Sequence, residues 1–405
     1  MARTLEEHLA PDGAPKRVLA LDGGGVKGIL TLGMLRVLEG ELRRRSRDPT
    51  LVLSDYYDLI GGTSTGAIIA AGLALGLSTS DLIRMYSELG PDVFGRQAGD
   101  GIFMQSKFDA KKLRAALSGV LSTKTLGTKD LRTGLAICAK RIDTGSAWVL
   151  TNHPRSKFYE SPPDSPIYPN KRYRLIDLVL ASAAAPTFFD EVVIDIEFDE
   201  KNRPTQRGYF VDGAVSGNNN PSMQLLMLAL EPNYAFGWSP GADKLMMTSC
   251  GTGLRRPRTD GQSFQGLPPG VRGIHSLRAM IYDTQVQGVM MMQALSEPKK
   301  PWYVNAEIEF QQGACISGQP VLDFQRLDVI LDQRPKKRGK DAELTALEQL
   351  IGRELPWEAC EGLDQLANGR ADNMNLLLEV GECAGRRFVD AAYPDPKFDL
   401  PEWRS

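Results

Sequence analysis

The amino-acid sequence predicts an α/β fold in which a mainly parallel central sheet is flanked by helices and followed by a helical C-terminal extension. Short apolar runs at residues 17–21 and 57–60 each lead into glycines and then into a helical pattern, so two strand–turn–helix units follow one another. A further apolar run at residues 244–250 ends at Gly251. Successive units of this kind favour a mainly parallel sheet with helices on both faces. On such sheets, binding sites lie at the carboxyl ends of the strands.

The chain divides into three regions. Residues 1–14 precede the first apolar run and are expected to form a flexible N-terminal tail. Residues 15–255 contain the strand–helix units and are expected to form the core. Residues 256–405 are expected to be partly helical and to pack on this core or extend it. From about residue 335 onward, the basic run Arg334–Lys340 gives way to a Glu- and Leu-rich pattern that is typical of helices.

The composition excludes several classes of protein. A net charge of −2 lacks the basic excess of a nucleic-acid-binding protein. The five cysteines are scattered and form no CxxC pair, which argues against a disulfide framework and a zinc site. The longest apolar stretch, residues 67–77, is well short of the roughly 20 residues that span a bilayer. The N-terminus lacks the apolar core of a signal peptide, so we expect a cytoplasmic protein.

The segment GTSTG, residues 62–66, places a serine between two glycines at a strand-to-helix turn, which is the context of a nucleophile elbow. Such an elbow holds Ser64 in a strained backbone conformation, and small residues at Gly62 and Gly66 let the strand and helix approach without a clash. The helix that follows directs its N-terminal amides at the serine, which favours negative charge on a reacting oxygen. Taken alone, the pattern fits a helix-capping serine equally well.

The segment DGGGVKG, residues 22–28, also follows a strand and opens a helix. Its adjacent glycines Gly23, Gly24 and Gly25 expose backbone N–H groups without side-chain obstruction, which makes an anion-binding turn. A turn of this kind suits an oxyanion hole.

The same segment also fits a dinucleotide-binding fingerprint formed by Gly23, Gly25 and Gly28, with Asp48 about 20 residues on as a ribose ligand. That interpretation places an acid at the tip of the second strand. Asp48 instead lies in a polar run ahead of the next apolar segment. The nucleotide interpretation also leaves Ser64 unexplained.

A third element is Asp212, which follows the apolar run at residues 209–211 and is followed by Gly213 and Ala214. A carboxylate at a strand end beside a glycine can approach Ser64 and accept its proton, provided that the site is dry enough to raise its proton affinity. Taken alone, the segment is an ordinary Asp-Gly turn.

The histidines test for a Ser-His-Asp triad, and the chain contains only His8, His153 and His275. Of these, only His275 follows both Ser64 and Asp212, as the order of an α/β-hydrolase requires, so it stays open as an alternative base. Its place near the start of a helical pattern is more typical of a surface or capping residue.

Four blocks, in this order, resemble the signature blocks of the patatin-like phospholipase family. They are DGGGVKG, GTSTG, ASAAAPTFF at residues 181–189 and DGAVSGNNNP at residues 212–221. The resemblance covers roughly residues 15–255 and includes the glycine-rich strand end at residues 249–253. It identifies residues 15–255 as a patatin-like catalytic core.

The resemblance implies a serine-dependent lipid acyl hydrolase of the phospholipase A type, which is a carboxylic ester hydrolase. The family uses a Ser-Asp dyad without histidine, and this implies Ser64 as the nucleophile and Asp212 as its base. Gly23, Gly24 and Gly25 match the oxyanion loop of the family. The reaction implied is cleavage of fatty-acyl esters of membrane lipids through an acyl-enzyme intermediate.

The resemblance also implies partners. Family members act on phospholipids, galactolipids or neutral glycerides without a required metal. We therefore expect a membrane phospholipid or related glycerolipid as substrate, no cofactor, and peripheral contact with membranes. The run Arg334–Lys340 would contribute about 1 kcal/mol per basic residue at an anionic surface, although such runs are usually solvated loops. Several bacterial relatives are switched on by partners or small molecules, so an activator acting through residues 335–405 is a further expected partner.

Overall fold

The computed structural model describes residues 3–11, 14–94, 110–162, 165–186, 188–254, 256, 261–305, 307–311, 315–331, 344–363 and 365–404. Within these ranges the strands are β1 (Lys16–Leu21), β2 (Leu59–Thr63), β3 (Gly134–Arg141), β4 (Ala147–Thr151), β5 (Val192–Phe198), β6 (Pro204–Asp212), β7 (Leu245–Cys250) and β8 (Asp323–Leu327). The α-helices are α1 (Leu5–Leu9), α2 (Gly28–Ser46), α3 (Leu53–Tyr56), α4 (Thr65–Ala74), α5 (Thr79–Phe94), α6 (Ala110–Leu121), α7 (Leu175–Ala183), α8 (Ser222–Leu230), α9 (Gly261–Gln265), α10 (Pro269–Ala294), α11 (Ala346–Ile351), α12 (Trp357–Gly362) and α13 (Ala371–Asp390).

The described strands form one sheet in the order β5-β6-β3-β2-β1-β7-β8, with β4 paired to β3 off this path. Strands β3, β2, β1, β7 and β8 run parallel to one another. Strands β4, β5 and β6 join through antiparallel pairs. The α/β fold with a mainly parallel sheet and a helical C-terminal region is therefore confirmed. The boundary at residue 255 stays a prediction, although the region beyond it supplies β8 to the same sheet.

The sheet is covered on both faces. Side chains of a strand alternate between the two faces, and in β1 this places Leu19 and Leu21 in one hydrophobic cluster and Val18 and Ala20 in another. The first cluster contains residues of α2, α4 and α13, and the second contains residues of α8 and α10. Helix α4 is buried along its whole length, as expected for a helix that is apolar on all sides.

Two strands meet end to end on one edge of β3. The last residue of β2, Thr63, pairs with Cys138, and the last residue of β6, Asp212, pairs with the next residue, Ala139. Strand β4 occupies the other edge of β3, and a strand has only two hydrogen-bonding edges. Because β6 runs antiparallel to β3, its carboxyl end points at the carboxyl end of β2. The topology thus brings the ends of two strands, far apart in sequence, to one place.

Helix α13 packs closely against α2. A Cβ atom on Gly381 would lie 2.1 Å from the carbonyl oxygen of Leu30, and one on Gly33 would lie 2.5 Å from the carbonyl oxygen of Leu378. The absence of side chains at these glycines lets the two backbones approach. The C-terminal helical region is therefore packed on the helix that follows the first glycine-rich turn.

The segment for which a flexible tail is expected contains α1. Within it, His8 is buried, with its Nδ1 atom 3.1 Å from Asp58 Oδ1, and Arg3 Nη1 donates to the same oxygen at 2.6 Å. The buried Asp58 carboxylate requires such partners. The sequence signal for this helix is the capping box formed by Thr4 and Glu7.

No helix in the described part of the chain is long and apolar enough to cross a membrane. The basic run Arg334–Lys340 lies outside the described residues, so its contact with anionic lipid stays a prediction.

The close packing of α2 and α13 predicts opposite effects for two glycine substitutions. Gly381→Ala should lower the free energy of unfolding by about 1–3 kcal/mol, because its new methyl group overlaps backbone that cannot move aside easily. Gly40→Ala, in α2 but at an exposed position with nothing within 4 Å, should raise it by up to about 1 kcal/mol. Urea denaturation of both variants measures this, and equal effects would contradict the packing.

Candidate active site

Ser64 lies at the tight turn between β2 and α4. Its backbone has φ 56° and ψ −125°, a combination that is strained for a residue with a side chain. The Ser64 N–H donates to Ser182 Oγ at 2.8 Å, and the Ser182 hydroxyl donates to the carbonyl of Cys138 at 2.6 Å. The Ser182 side chain, in the last turn of α7, thus connects the strained turn to β3.

Glycines on either side of Ser64 allow this turn to form. A Cβ atom on Gly62 would lie 2.2 Å from the carbonyl group of Gly66, and one on Gly66 would lie 2.3 Å from the carbonyl oxygen of Leu21. A Cβ on Gly28 would lie 2.4 Å from Thr65 Oγ1 in the first turn of α4. These contacts leave no room for side chains where β1, β2 and α4 converge.

Asp212 lies at the end of β6 and is only 3% exposed. Its N–H donates to the carbonyl of Ala184 at 2.9 Å, and its Oδ1 atom accepts a hydrogen bond from the Ala214 N–H at 2.8 Å. A Cβ atom on Gly213 would lie 2.4 Å from the Cys138 carbonyl oxygen, so glycine is required for the chain to pass β3 here.

The pKa of the Asp212 carboxylate is set by its burial and by the neighbouring Ser64 side chain. Burial raises the pKa of Asp212 to about 6, and hydrogen bonding from the Ser64 side chain and the Ala214 backbone offsets part of this effect. A carboxylate with a raised pKa is a stronger proton acceptor than an exposed one. A buried carboxylate with such a pKa is suited to accept a proton near neutral pH.

The glycine loop, residues 22–28, lies beside the serine, since a Cβ on Gly23 would be 3.1 Å from Ser64 Cβ. The Gly23 N–H donates to the carbonyl of Asn219 at 3.0 Å, which differs from the expectation that three glycines serve as oxyanion donors. No acceptor among the described residues takes the N–H groups of Gly24 and Gly25. These two amides open the helical turn that leads into α2, where N–H groups lack intrahelical partners.

The histidines lie in different settings from this pair. His8 contacts Asp58 before β2 begins, and the His153 ring packs 4.6 Å from the Phe236 ring. Both lie near the amino ends of β2 and β3, opposite the serine. His275 is in α10, with its ring 6.3 Å from that of Phe264.

Asp48, the residue required by the nucleotide interpretation, is exposed beyond the far end of α2. The 19 residues of α2 separate it from the glycine loop by about 28 Å of helix. Its carboxylate instead accepts hydrogen bonds from Thr50. The structure therefore offers this acid no approach to a ligand on the glycine loop.

A family model described as patatin-like phospholipase matches residues 19–226, just over half of the 405 residues. The chain belongs to the patatin-like phospholipase family.

Individual patatin relatives support this membership. Patatin-T5 from Solanum tuberosum is 30% identical over 262 residues, which cover 62% of this chain and 64% of that protein. Patatin-1-Kuras 2 from the same plant is 29% identical over 248 residues, covering 58% and 62%. The chain thus spans less than two thirds of the length of these curated relatives.

The solved structure of human GIVD cytosolic phospholipase A2 aligns with a TM-score of 0.48 and 12% identity, covering 96% of this chain and 62% of that chain.

Within this patatin-like framework, the sequence motifs do not reveal every residue that contacts the site. Ser182 lies in the ASAAAPTFF block, which the family resemblance identifies, but the sequence does not indicate its contact with the Ser64 N–H. Asn219 Nδ2 donates to Gln285 Oε1 at 2.9 Å, and Gln285 Nε2 donates to Asp22 Oδ2 at 3.0 Å. Gln285 and Arg326, a further partner of Asp22, come from outside the four family blocks and carry no sequence signal of their own.

An apolar cavity of about 120 Å³ adjoins the site of this patatin-like protein. Its wall includes Ala183, which follows Ser182, and Ala184, whose carbonyl accepts the Asp212 N–H. The remaining lining residues are Ala110, Lys111, Leu113, Arg114, Leu180, Phe189, Asp190 and Val192. The cavity wall therefore includes Ala184, which binds the Asp212 N–H, and the direct neighbour of Ser182, which binds the Ser64 N–H.

The raised pKa of Asp212 predicts that kcat/KM falls as the pH decreases through about 6, because the protonated carboxyl group cannot accept the serine proton. A pH–rate profile with a soluble ester measures this limb. Burial also raises the pKa of Asp22 to about 6, so Asp22→Asn is the control. That variant should keep the midpoint of the limb even if its rate is lower, and loss of the limb would assign it to Asp22 instead.

Proposed function

We propose that the protein is a serine-dependent lipid acyl hydrolase of the phospholipase A type, which cleaves fatty-acyl esters of membrane lipids. The observation that carries this proposal is the strained, buried Ser64 beside a buried carboxylate whose pKa is raised to about 6. Membership of the patatin-like phospholipase family supports the choice of a lipid ester as substrate. Because bilayer lipids are the proposed substrates, we also propose that the protein is cytoplasmic and binds membranes peripherally.

In the proposed mechanism, Asp212 accepts the proton of the Ser64 hydroxyl as the serine oxygen attacks the ester carbonyl. The tetrahedral intermediate collapses, the ester C–O bond breaks, and Asp212 returns the proton to the departing alcohol, which is the lysolipid. Asp212 then takes a proton from water as the water attacks the acyl-enzyme. Collapse of the second intermediate releases the fatty acid, and the proton returns to Ser64.

The negative charge that develops on the carbonyl oxygen requires hydrogen-bond donors. We propose the N–H groups of Gly24 and Gly25, which have no acceptor among the described residues and belong to the loop beside Ser64. The N-terminus of α4 adds a favourable dipole at the same place. In this assignment Gly23 leaves space next to Ser64 while its own N–H holds the Asn219 loop.

We propose that the apolar cavity receives the start of the acyl chain. A dry apolar cavity of about 150 Å³ holds a benzene molecule, so a cavity of about 120 Å³ accommodates a short segment of chain close to the ester. Its position against Ala183 and Ala184 supports this occupant, because these residues adjoin the groups that hold Ser64 and Asp212.

Substitution of the two reactive groups tests the proposed dyad. Ser64→Ala should reduce kcat by about 10⁴-fold or more, and Asp212→Asn should do nearly the same, because residues that act as a unit are not additive. His275→Ala should turn over normally. The assays are hydrolysis of a p-nitrophenyl ester, fatty-acid release from phospholipid vesicles, and labelling of Ser64 by a fluorophosphonate. A comparable collapse in folded His275→Ala would replace the dyad by a triad.

Thermal stability gives a matched control for Asp212→Asn. The folded state raises the pKa of Asp212 from 3.8 to about 6, so its ionisation disfavours folding increasingly as the pH rises through that interval. At pH 8 the asparagine variant should therefore melt at or above the wild-type temperature. Lost activity would then not reflect unfolding.

The proposed acyl cavity predicts a change in chain-length preference. Val192→Phe fills the cavity and should lower the ratio of kcat/KM for a decanoyl ester to that for a butyryl ester by about tenfold, as expected for a pocket that loses space for methylenes. Leu180→Ala enlarges the cavity and should raise this ratio. Val193→Phe is the matched control, because Val193 is 47% exposed and points to the other face of β5. An unchanged ratio in both cavity variants would exclude the cavity as the acyl site.

A further inference from the structure

A buried arginine lies behind the glycine loop, on a strand outside the residues matched by the family model. Arg326 belongs to β8 and pairs in register with Ser249 of β7, which itself pairs with Ala20 of β1. Its side chain is 1% exposed. Asp328 follows directly after the end of β8, and the Arg326 side chain contacts its carboxylate.

The guanidinium group of Arg326 joins two buried carboxylates. Nη1 donates to Asp22 Oδ1 at 2.9 Å and Nη2 donates to Asp22 Oδ2 at 2.5 Å, which is a bidentate fork. Nη2 also donates to Asp328 Oδ2 at 2.6 Å, and Nη1 donates to Ser249 Oγ at 2.8 Å. Lysine cannot reproduce this fixed, planar set of contacts.

Each carboxylate is linked to a main-chain turn, Asp22 because it belongs to the glycine loop and Asp328 because it binds the turn after β7. Asp22 is the residue that begins the glycine loop, and its N–H donates to the Cys250 carbonyl at 3.0 Å. Asp328 Oδ1 accepts the Gly253 N–H at 2.9 Å. Arg326 thus spans from the loop after β1 to the turn after β7.

The two turns are also bound to each other directly. Thr252 Oγ1 donates to the Gly23 carbonyl at 2.9 Å, and a Cβ on Gly24 would lie 2.1 Å from the same Thr252 oxygen. Lys27 Nζ donates to the Gly253 carbonyl at 2.8 Å. Displacement of the turn after β7 would therefore displace the glycine loop.

We infer that Arg326 is a positioning residue for the reaction, which holds Asp22 and Asp328 so that the N–H groups of Gly24 and Gly25 stay beside Ser64. The inference rests on the proposed function, because it concerns the oxyanion donors of that reaction. Arg326 contacts no reacting atom in this scheme. Its loss should weaken stabilisation of the transition state more than binding of the substrate.

The test compares an ester with the matching thionoester, in which sulfur replaces the carbonyl oxygen. Sulfur accepts hydrogen bonds weakly, so a thionoester gains less from oxyanion donors. Arg326→Lys should lower kcat for the oxygen ester by about 100-fold, the order of magnitude for loss of an oxyanion donor, with KM nearly unchanged. Its kcat for the thionoester should fall much less.

Arg17→Lys is the matched control at the opposite end of the sheet. Arg17 is buried, donates to Asp58 through Nη1 at 3.1 Å, and donates to the Phe398 carbonyl through Nε at 2.8 Å. Its replacement should alter the melting temperature, but the ratio of kcat for the oxygen ester to kcat for the thionoester should stay at the wild-type value. Asp328→Asn is the second test variant, because it removes the charge that faces Arg326 while an oxygen remains for the Gly253 N–H. It should lower the oxygen-ester rate selectively even if Arg326→Lys does not fold.

Assays of wild type and Ser64→Ala with the same substrates distinguish failure of the proposed function from failure of the positioning role of Arg326. Absence of Ser64-dependent hydrolysis in the wild type would overturn the proposed function and the role of Arg326 together. If the wild type is active but kcat for both substrates falls by the same factor in folded Arg326→Lys and Asp328→Asn, only the positioning role would be overturned. A selective loss for the oxygen ester in these variants supports it.

Discussion

The geometry of the site depends on the single edge of β3 that two other strands share. Strand β2 pairs along the first part of this edge as far as Cys138, and β6 enters from the opposite direction and stops at the next residue, Ala139. Two chain segments separated by almost 150 residues therefore end face to face. The Ser64 turn and the Asp212 turn start where these strands stop, and Gly213 is needed because the Cys138 carbonyl leaves no room for a side chain.

This arrangement places two unfavourable features side by side. Ser64 has a strained backbone, and Asp212 is a carboxylate in a buried position. Surrounding contacts hold both in place. Ser182 binds the Ser64 N–H, and the Ala184 carbonyl binds the Asp212 N–H, so the end of α7 fixes the two residues together. Strain and burial at one place are typical of a site retained for chemistry rather than for stability.

Local sequence patterns predict the parts of this site that depend on local structure. The glycines around Ser64 and the glycines after β1 indicate tight turns without knowledge of the fold, and repeated strand–helix units indicate the α/β class. The approach of Asp212 to Ser64 requires the antiparallel entry of β6, which no local pattern encodes. Arg326 and Gln285 reach Asp22 from segments about 300 and 260 residues away along the chain, and such contacts are visible only once β8 and α10 are placed. Residues 1–14 precede the first apolar run and therefore predict a tail, whereas the contact between His8 and Asp58 joins residues 50 positions apart and has no local sequence signal.

The pairing of β1 on both of its edges limits where the chain can be shortened to a stable fragment. One edge of β1 pairs with β2, and the other pairs with β7 over all six residues, yet β7 and β8 lie beyond residue 226, where the family match ends. A fragment cut at that boundary would expose a row of unpaired amide and carbonyl groups on a central, apolar strand. Exposed strand edges of this kind recruit other chains and lead to aggregation. Expression of the recognisable segment by itself would therefore be expected to yield insoluble material, and the ends of a usable fragment are set by the sheet rather than by the motifs.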